Sequence, residues 1–327
     1  MLSPITTGRI SGVLTALTLF AVSSLAIAQE KYPSRPIEFI VPWGPGGGAD
    51  QLARKAAKLM EDDLKVSLPV VNSPGATGNT GMAKLLTSAA DGYALSIMTW
   101  DTYALLATSP STRWALKDII PVALMIKQPS SFLTATNGKL KTWADVEREA
   151  KMRPLKVAVT GFGSPDEITV NFFVARGLKL IPVPFANPGE RYTAVLGGHA
   201  DVLYEQIGDV RSFVDSKQIQ PVIVFAEKRF SVFPDVPASK ELGYDITLPQ
   251  RRAVIMKAGT DPQRVKVIAD ALAKVAASAD YKAYLKEQYA TDDSYFGTDE
   301  ALKIMEEELA QMKKIAASAT AAPAAPK

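Results

Sequence analysis

The chain has 327 residues, with 37 basic and 34 acidic side chains, one histidine and no cysteine, for a formal charge of +3. Charges of both signs are well mixed, so nothing marks a nucleic-acid or membrane-surface partner, and the lack of cysteine excludes a disulfide framework and thiol chemistry. With 47% hydrophobic residues the composition suits a globular α/β protein long enough for two domains.

A polar start carrying Arg9 precedes an apolar run over residues 13–25 that ends Ala26-Ile27-Ala28. The pattern reads as a signal peptide (residues 1–28) cut after Ala28. The run is short for a span, which takes about 20 apolar residues. An exported, cysteine-free chain points to the bacterial periplasm.

Short apolar runs rich in β-branched residues, at 37–41, 70–71, 94–98, 157–159, 181–183 and 222–225, alternate with helical patterns at 50–61, 80–88, 142–152, 166–176, 191–196 and 210–216. That order predicts an α/β fold with mostly parallel sheets covered on both faces. Two longer extended stretches, 121–136 and 244–258, interrupt the rhythm. If each passes between domains, one lobe comprises residues 29–127 and 249–315 and the other residues 128–248. After Asp261-Pro262 only helices are expected, packed on the first lobe. The Ala/Pro-rich residues 316–327 are expected to form a frayed tail. Two lobes joined by two strands enclose a cleft that closes by hinge motion.

Three loops bear on chemistry. The first runs Val41-Pro42-Trp43-Gly44-Pro45-Gly46-Gly47-Gly48-Ala49-Asp50 between a strand and a helix. Its glycines leave main-chain amides open to a ligand, and the helix start suits an oxygen-rich anion. The same residues fit G-x-G-x-x-A, but no carboxylate follows the second strand at Val70-Val71-Asn72 as a dinucleotide fold requires, and no Lys-Ser/Thr follows to make a P-loop.

The second loop, Thr160 to Glu167, holds Gly161, Gly163 and a helix cap at Ser164-Pro165. It is either a well-capped helix or a second anion-receiving turn opposite the first. The third, Thr99-Trp100-Asp101-Thr102-Tyr103, follows a strand, where open α/β sheets place ligand contacts or simple helix caps. His199, the only histidine, lies in a turn with no nucleophile elbow or metal-spaced cluster beside it, so a structural role is expected.

In order and spacing, these features resemble the substrate-binding subunit of tripartite tricarboxylate transporters, the TctC or Bug type. The resemblance rests on Tyr32-Pro33-Ser34-Arg35-Pro36-Ile37, the first glycine loop, Asn72-x-Pro74-Gly75-Ala76-Thr77-Gly78-Asn79 and Asp91-Gly92-Tyr93. It continues through Leu196-Gly197-Gly198-x-Ala200-Asp201-Val202, Pro234-Asp235-Val236-Pro237 and Glu241-Leu242-Gly243-Tyr244. It implies a two-lobed type II periplasmic binding protein with a hinged cleft. Such a protein delivers a small organic acid to a large and a small integral membrane subunit, without cofactor, metal or catalysis. A monomer is expected.

Carried over from the family, one ligand carboxylate lies between Gly46, Gly47, Gly48, Ala49 and Asp50 on one side and Gly161, Gly163 and Ser164 on the other. Asp101 and Thr102 add contacts. Trp43 belongs to the first loop, and Phe185 and Glu205 are expected to select the rest of the ligand. Arg251 and Arg252 point to opposite faces of a strand, so either one of them, with Arg251 the one taken, faces the cleft as a bidentate carboxylate contact, or both are hinge charges turned to solvent. Pro165-Asp166-Glu167 replace the Ser/Thr-rich stretch usual in the family, and Tyr103 stands where many members have histidine. The alternatives are an exported sensor for a membrane receptor and an exported enzyme using cleft carboxylates.

Overall fold

The helix behind the first glycine loop shows how the sequence sets the layers. Its apolar residues Leu52, Ala53, Ala56, Ala57 and Met60 recur at three- and four-residue spacing and are all buried, forming one stripe that faces a sheet. It spans Gly48–Leu64, because Gly48 and Ala49 already belong to the first turn behind Gly47. It ends at Lys65, whose left-handed backbone (φ 59) lets its amide donate to the carbonyl of Glu61.

The computed structural model describes Met1 and residues 31–320. The expected signal peptide beyond Met1, and residues 321–327, lie outside the described residues. The first sheet begins with β1 (Glu38–Val41), β2 (Val70–Asn72), β3 (Ala94–Thr99) and β4 (Ile119–Gln128), interleaved with α1 (Gly48–Leu64), α2 (Asn79–Thr87) and the short α3 (Trp100–Tyr103) and α4 (Leu105–Thr108). The second sheet takes β5 (Ser130–Ala135), β6 (Leu155–Val159), β7 (Leu180–Pro184), β8 (Val202–Gln206) and β9 (Ile219–Val224). Between them run α5 (Trp143–Met152), α6 (Pro165–Val174), α7 (Pro188–Leu196) and α8 (Arg211–Asp215). The chain returns through β10 (Gln250–Lys257), then α9 (Pro262–Ala277), α10 (Ala279–Glu287), β11 (Phe296–Gly297) and α11 (Thr298–Thr320).

Strand order is β11-β4-β10-β3-β1-β2 in one sheet and β7-β6-β8-β5-β9 in the other. β1 pairs parallel with β2 and β3, while β10 runs antiparallel to β3 and β4. β6 pairs parallel with β7 and β8, and β5 runs antiparallel to β8 and β9. Both sheets are therefore mixed, in the α/β layering that the strand–helix alternation predicts, but not mostly parallel as expected, because β5, β10 and β11 run antiparallel to their neighbours. Alternate residues feed opposite cores: Phe39 and Ile97 meet Leu52 and Leu272, whereas Ile40 and Met98 meet Met82 and Met305.

The chain crosses between sheets at Pro129, and the strand that leaves pairs with the one that returns, Gln128 opposite Gln250. The C-terminal region differs from the sequence reading in three ways. A short strand, β11, adds to the first sheet between helices α10 and α11. The last helix continues to Thr320, five residues into the segment read as tail. It also spans both lobes: Met305 and Met312 join the first-lobe core, and Ile315 packs on the second.

Candidate functional site

The carboxyl ends of β1, β3, β6 and β8 converge on the space between the sheets, where open α/β sheets bind ligands. They bring Trp43, Gly48, Asp101, Thr160, Glu205 and Asp209 to one cleft, and β10 adds Gln250 and Arg252 from its start. The enclosed space is only about 30 Å³, room for a water-sized molecule, against roughly 300–1,000 Å³ for ligand pockets. The lobes are shut. Glycines make this approach possible: a Cβ at Gly48 would run into the carboxylate of Asp209, and one at Gly47 into the ring of Pro188.

The cleft is lined by buried charge. Arg252, 3% exposed, forms an ion pair with Asp209 across the lobes, and its Nη1 donates to Gln128 at 2.5 Å. Arg191, also 3% exposed, pairs with Glu205, which accepts further bonds from the Tyr192 hydroxyl at 2.9 Å and the Gln206 amide at 3.1 Å. Nε and Nη1 of Arg191 have no hydrogen-bond partner, although the residue lines the cleft. A buried guanidinium with two unpaired donors is costly unless an acceptor meets them.

Two further carboxylates face each other from opposite lobes. Asp101 accepts from Gln250 Nε2 at 2.5 Å, and Asp166 accepts from the Thr160 amide and hydroxyl, both at 2.7 Å. The Thr160 hydroxyl lies 3.3 Å from Asp101, so it bridges the pair. Burial pushes both carboxyls up; for Asp166 the neighbouring Asp101 pushes in the same direction. Burial also raises Asp209, to about 6, despite its ion pair with Arg252. Among the described residues there is no cluster of His, Cys, Asp and Glu able to hold a metal ion, and no helix is long and apolar enough to cross a membrane.

Of the residues expected at the site, Trp43, Gly47, Gly48, Ala49, Asp101 and Glu205 line the cleft. The indole of Trp43 donates to Thr99 at 2.9 Å, so its N–H is already satisfied. Asp50 is a correction. Its oxygens accept from the Gly46 amide at 2.9 Å, Arg54 Nε at 3.0 Å and Asn72 Nδ2 at 3.0 Å, and it braces its own loop. Burial pushes its carboxyl up, but those bonds outweigh it and hold it below the ordinary value. Gly46 meets nothing across the cleft; its φ of +84 serves the turn.

The second glycine loop also differs from expectation. Gly161 abuts Thr77, Gly163 abuts Leu105 and Thr108, and Thr108 donates to the Gly163 carbonyl at 2.9 Å. The loop does face the first lobe, but it meets side chains beside α3 and α4, not the first glycine loop. Ser164 spends its hydroxyl on the Gly161 carbonyl at 2.6 Å and on capping α6. Thr102 is buried against Gly78, and Phe185 packs into the second-lobe core. Arg251 is on the wrong face of β10: its Nε donates to Glu308 of α11 at 2.8 Å, and Arg252 takes the cleft side with Gln250, two residues earlier.

The family model for the tripartite tricarboxylate transporter family receptor, TctC, matches residues 52–320. The chain belongs to the TctC family. Protein BugT of Bordetella pertussis is 29% identical over 267 residues, covering 80% of this chain and 82% of that protein. A TctC solute-binding protein from Polaromonas, solved with no ligand, is 28% identical with a TM-score of 0.61 and covers 88% of this chain and 99% of that one. Rpa4515 of Rhodopseudomonas palustris, solved with adipate, is 22% identical with a TM-score of 0.83, over 90% of this chain and 100% of that one. MatC of the same organism, solved with malate, is 22% identical with a TM-score of 0.81, over 87% and 100%. These neighbours place the two-sheet architecture among TctC and Bug periplasmic binding proteins.

Within this TctC-family chain, sequence reasoning missed Arg191, Asp209 and Gln250. For Arg191 there was a signal. It sits in the first turn of α7, after Pro188, where the helix dipole disfavours a cation, and such a placement calls for a partner beyond the helix. Asp209 and Gln250 carried no local signal, since their role comes from the lobes meeting.

Proposed function

We propose that this protein is an exported receptor that captures a small carboxylate-bearing organic molecule and passes it to a tripartite tricarboxylate-type transporter with large and small membrane subunits. Signal-peptide cleavage after Ala28 would release it into the periplasm. The observation that carries the reading is Arg191: a buried guanidinium with Nε and Nη1 unpaired, set in a cleft between the two sheets. The two donors point to different sides of the guanidinium, and a carboxylate is an acceptor that can meet one of them. The TctC membership, and the malate and adipate present in two structural neighbours, support the same class of ligand.

The mechanism is non-covalent. In the open form the lobes admit the ligand, and the ligand's better fit to the shut form shifts the population toward closure. Trp43, Gly47 and Gly48 supply the first-lobe wall, and the start of α7 brings Arg191 from the second.

A thermal-shift screen against mono-, di- and tricarboxylates, amino acids, sugars and NAD tests this reading. A ligand at about 100 times its Kd should stabilise the protein by about 2.7 kcal/mol. A response confined to carboxylate-bearing compounds supports the proposal; a response only to sugars or NAD overturns it.

A further inference from the structure

Four consecutive residues between β2 and α2 have a positive φ: Gly75 (130), Ala76 (50), Thr77 (51) and Gly78 (86). Glycine adopts such a backbone freely, but Thr77 calls for a reason. It lies in the left-handed region, with ψ 42, which suits a β-branched side chain least. A residue stays in so sparsely populated a conformation only where its surroundings hold it there.

The side chain of Thr77 reaches to the elements of the second sheet. Its hydroxyl donates to the carbonyl of Phe162 at 3.2 Å. A Cβ on Gly161 would come within 2.4 Å of that hydroxyl and 3.1 Å of the threonine methyl group, so only a glycine admits the contact. Thr108, at the end of α4, donates to the Gly163 carbonyl at 2.9 Å. Two threonines carried by elements of the first sheet thus hold two carbonyls of the Gly161-Phe162-Gly163 turn, which follows β6 of the second. That turn begins one residue after Thr160, which lines the cleft with its hydroxyl 3.3 Å from Asp101.

We propose that Thr77 is a positioning residue for closure. Its left-handed backbone delivers a hydroxyl that seats the Gly161–Gly163 turn, and this places Thr160 against Asp101 and holds the two halves of the molecule together at the cleft. Glycine would fit the backbone at this position without strain but has nothing to offer the Phe162 carbonyl. The proposal rests on the hinge-closing receptor described above and names a residue that sets its shut form. An exposed hydrogen bond contributes modestly, so its loss should shift the ratio of shut to open molecules about two- to tenfold.

The test compares small-angle scattering and thermal melting of the intact, ligand-free protein with three variants. Thr77→Gly removes the strain and the hydroxyl together. Its radius of gyration should exceed that of wild type while its melting temperature stays within about 2 °C, because relief of the left-handed threonine offsets the lost contact. Ala76→Gly relieves the neighbouring residue, whose side chain is exposed, and should be as compact as wild type. Thr77→Ser keeps the hydroxyl and should also stay compact. A role confined to the turn's own stability would instead lower the melting temperature and leave the radius of gyration unchanged. The proposal is wrong if Thr77→Gly is no larger than wild type, or if Thr77→Ser or Ala76→Gly expands as far as Thr77→Gly does. The carboxylate response in the thermal-shift screen is measured separately, so the receptor reading stands even where this one fails.

Discussion

Asp209, on the turn after β8, reaches across the cleft to Arg252 of β10, and both side chains are almost fully buried. The two residues come from different sheets and meet across the cleft. Gln128 and Gln206 also accept from the guanidinium, whose Nε has no partner, and Gln128 donates to Asp209 at 3.2 Å. The latch and the hinge coincide, since Gln128 and Gln250 sit where the two crossing strands pair.

Breaking that latch from one side should open the protein without unfolding it. Removing one partner of a buried pair costs about 3–5 kcal/mol when the other stays buried, but here opening the lobes returns the orphan to water. Arg252→Ala should therefore show a larger radius of gyration than wild type by small-angle scattering, with its circular dichroism unchanged. A variant as compact as wild type would count against the latch.

A steric wedge should have the same effect by another route. A Cβ at Gly208 would collide with the backbone carbonyl of Gln288, on the opposite lobe, and backbone cannot swing aside. Gly208→Ala should keep each lobe folded, raise the radius of gyration and weaken ligand binding by at least about tenfold (1.4 kcal/mol or more). Undiminished affinity would show that this contact does not define the shut form.

Closure should also depend on pH. The Asp209 carboxyl is faced by Arg252 from β10, Gln128 from β4 and Glu205 from β8, while Gln51 from α1 donates to its main-chain carbonyl. Burial raises it from 3.8 to about 6, so the shut form binds its proton more tightly than the open or unfolded form. The stabilisation is complete below the ordinary carboxylate value and is lost as pH rises through about 6. Asp101 and Asp166, raised in the same direction, act with it. Asp50, held low, acts oppositely and only in stronger acid. We expect the ligand-free melting temperature to fall between about pH 4.5 and 6.5, and Asp209→Asn to flatten the decline; a rise across that window contradicts the assignment.

Arg251 supplies a contrast. It holds Glu308 and Asp293 on the far face of β10 and fastens α11 to the first lobe. Arg251→Ala should lower stability by about 1–3 kcal/mol and leave ligand affinity within about twofold. A large loss of affinity would return Arg251 to the binding site.

How much of this was legible in the sequence follows from how local each cause is. Strand and helix order, the cap at Ser164 and the first glycine loop depend on neighbours in the chain, and the alternation of apolar runs carries them. Arg251 and Arg252 show the limit: period two says that they part, but only Glu308 of α11, 57 residues later, says which side is which. Asp50 looked like an anion-loop residue, yet Asn72 and Arg54 occupy it. The β11 strand is too short to leave a periodic signal and forms because β4 offers an edge at Ala123 and Leu124. The Asp209–Arg252 latch and the Asp101–Asp166 pair arise only when two lobes meet, and no window of sequence contains them.

The most direct test of the whole account is a parallel titration of wild type, Arg191→Gln and Arg191→Lys with the tightest carboxylate-bearing compound found by the screen. If Arg191 receives the carboxylate, Arg191→Gln should lose about 100-fold in affinity, and Arg191→Lys, which keeps the charge beside Glu205 but not the guanidinium's free donors, should recover only part of it. Equal affinity in all three would contradict the central claim that the lobes close on a carboxylate held by Arg191.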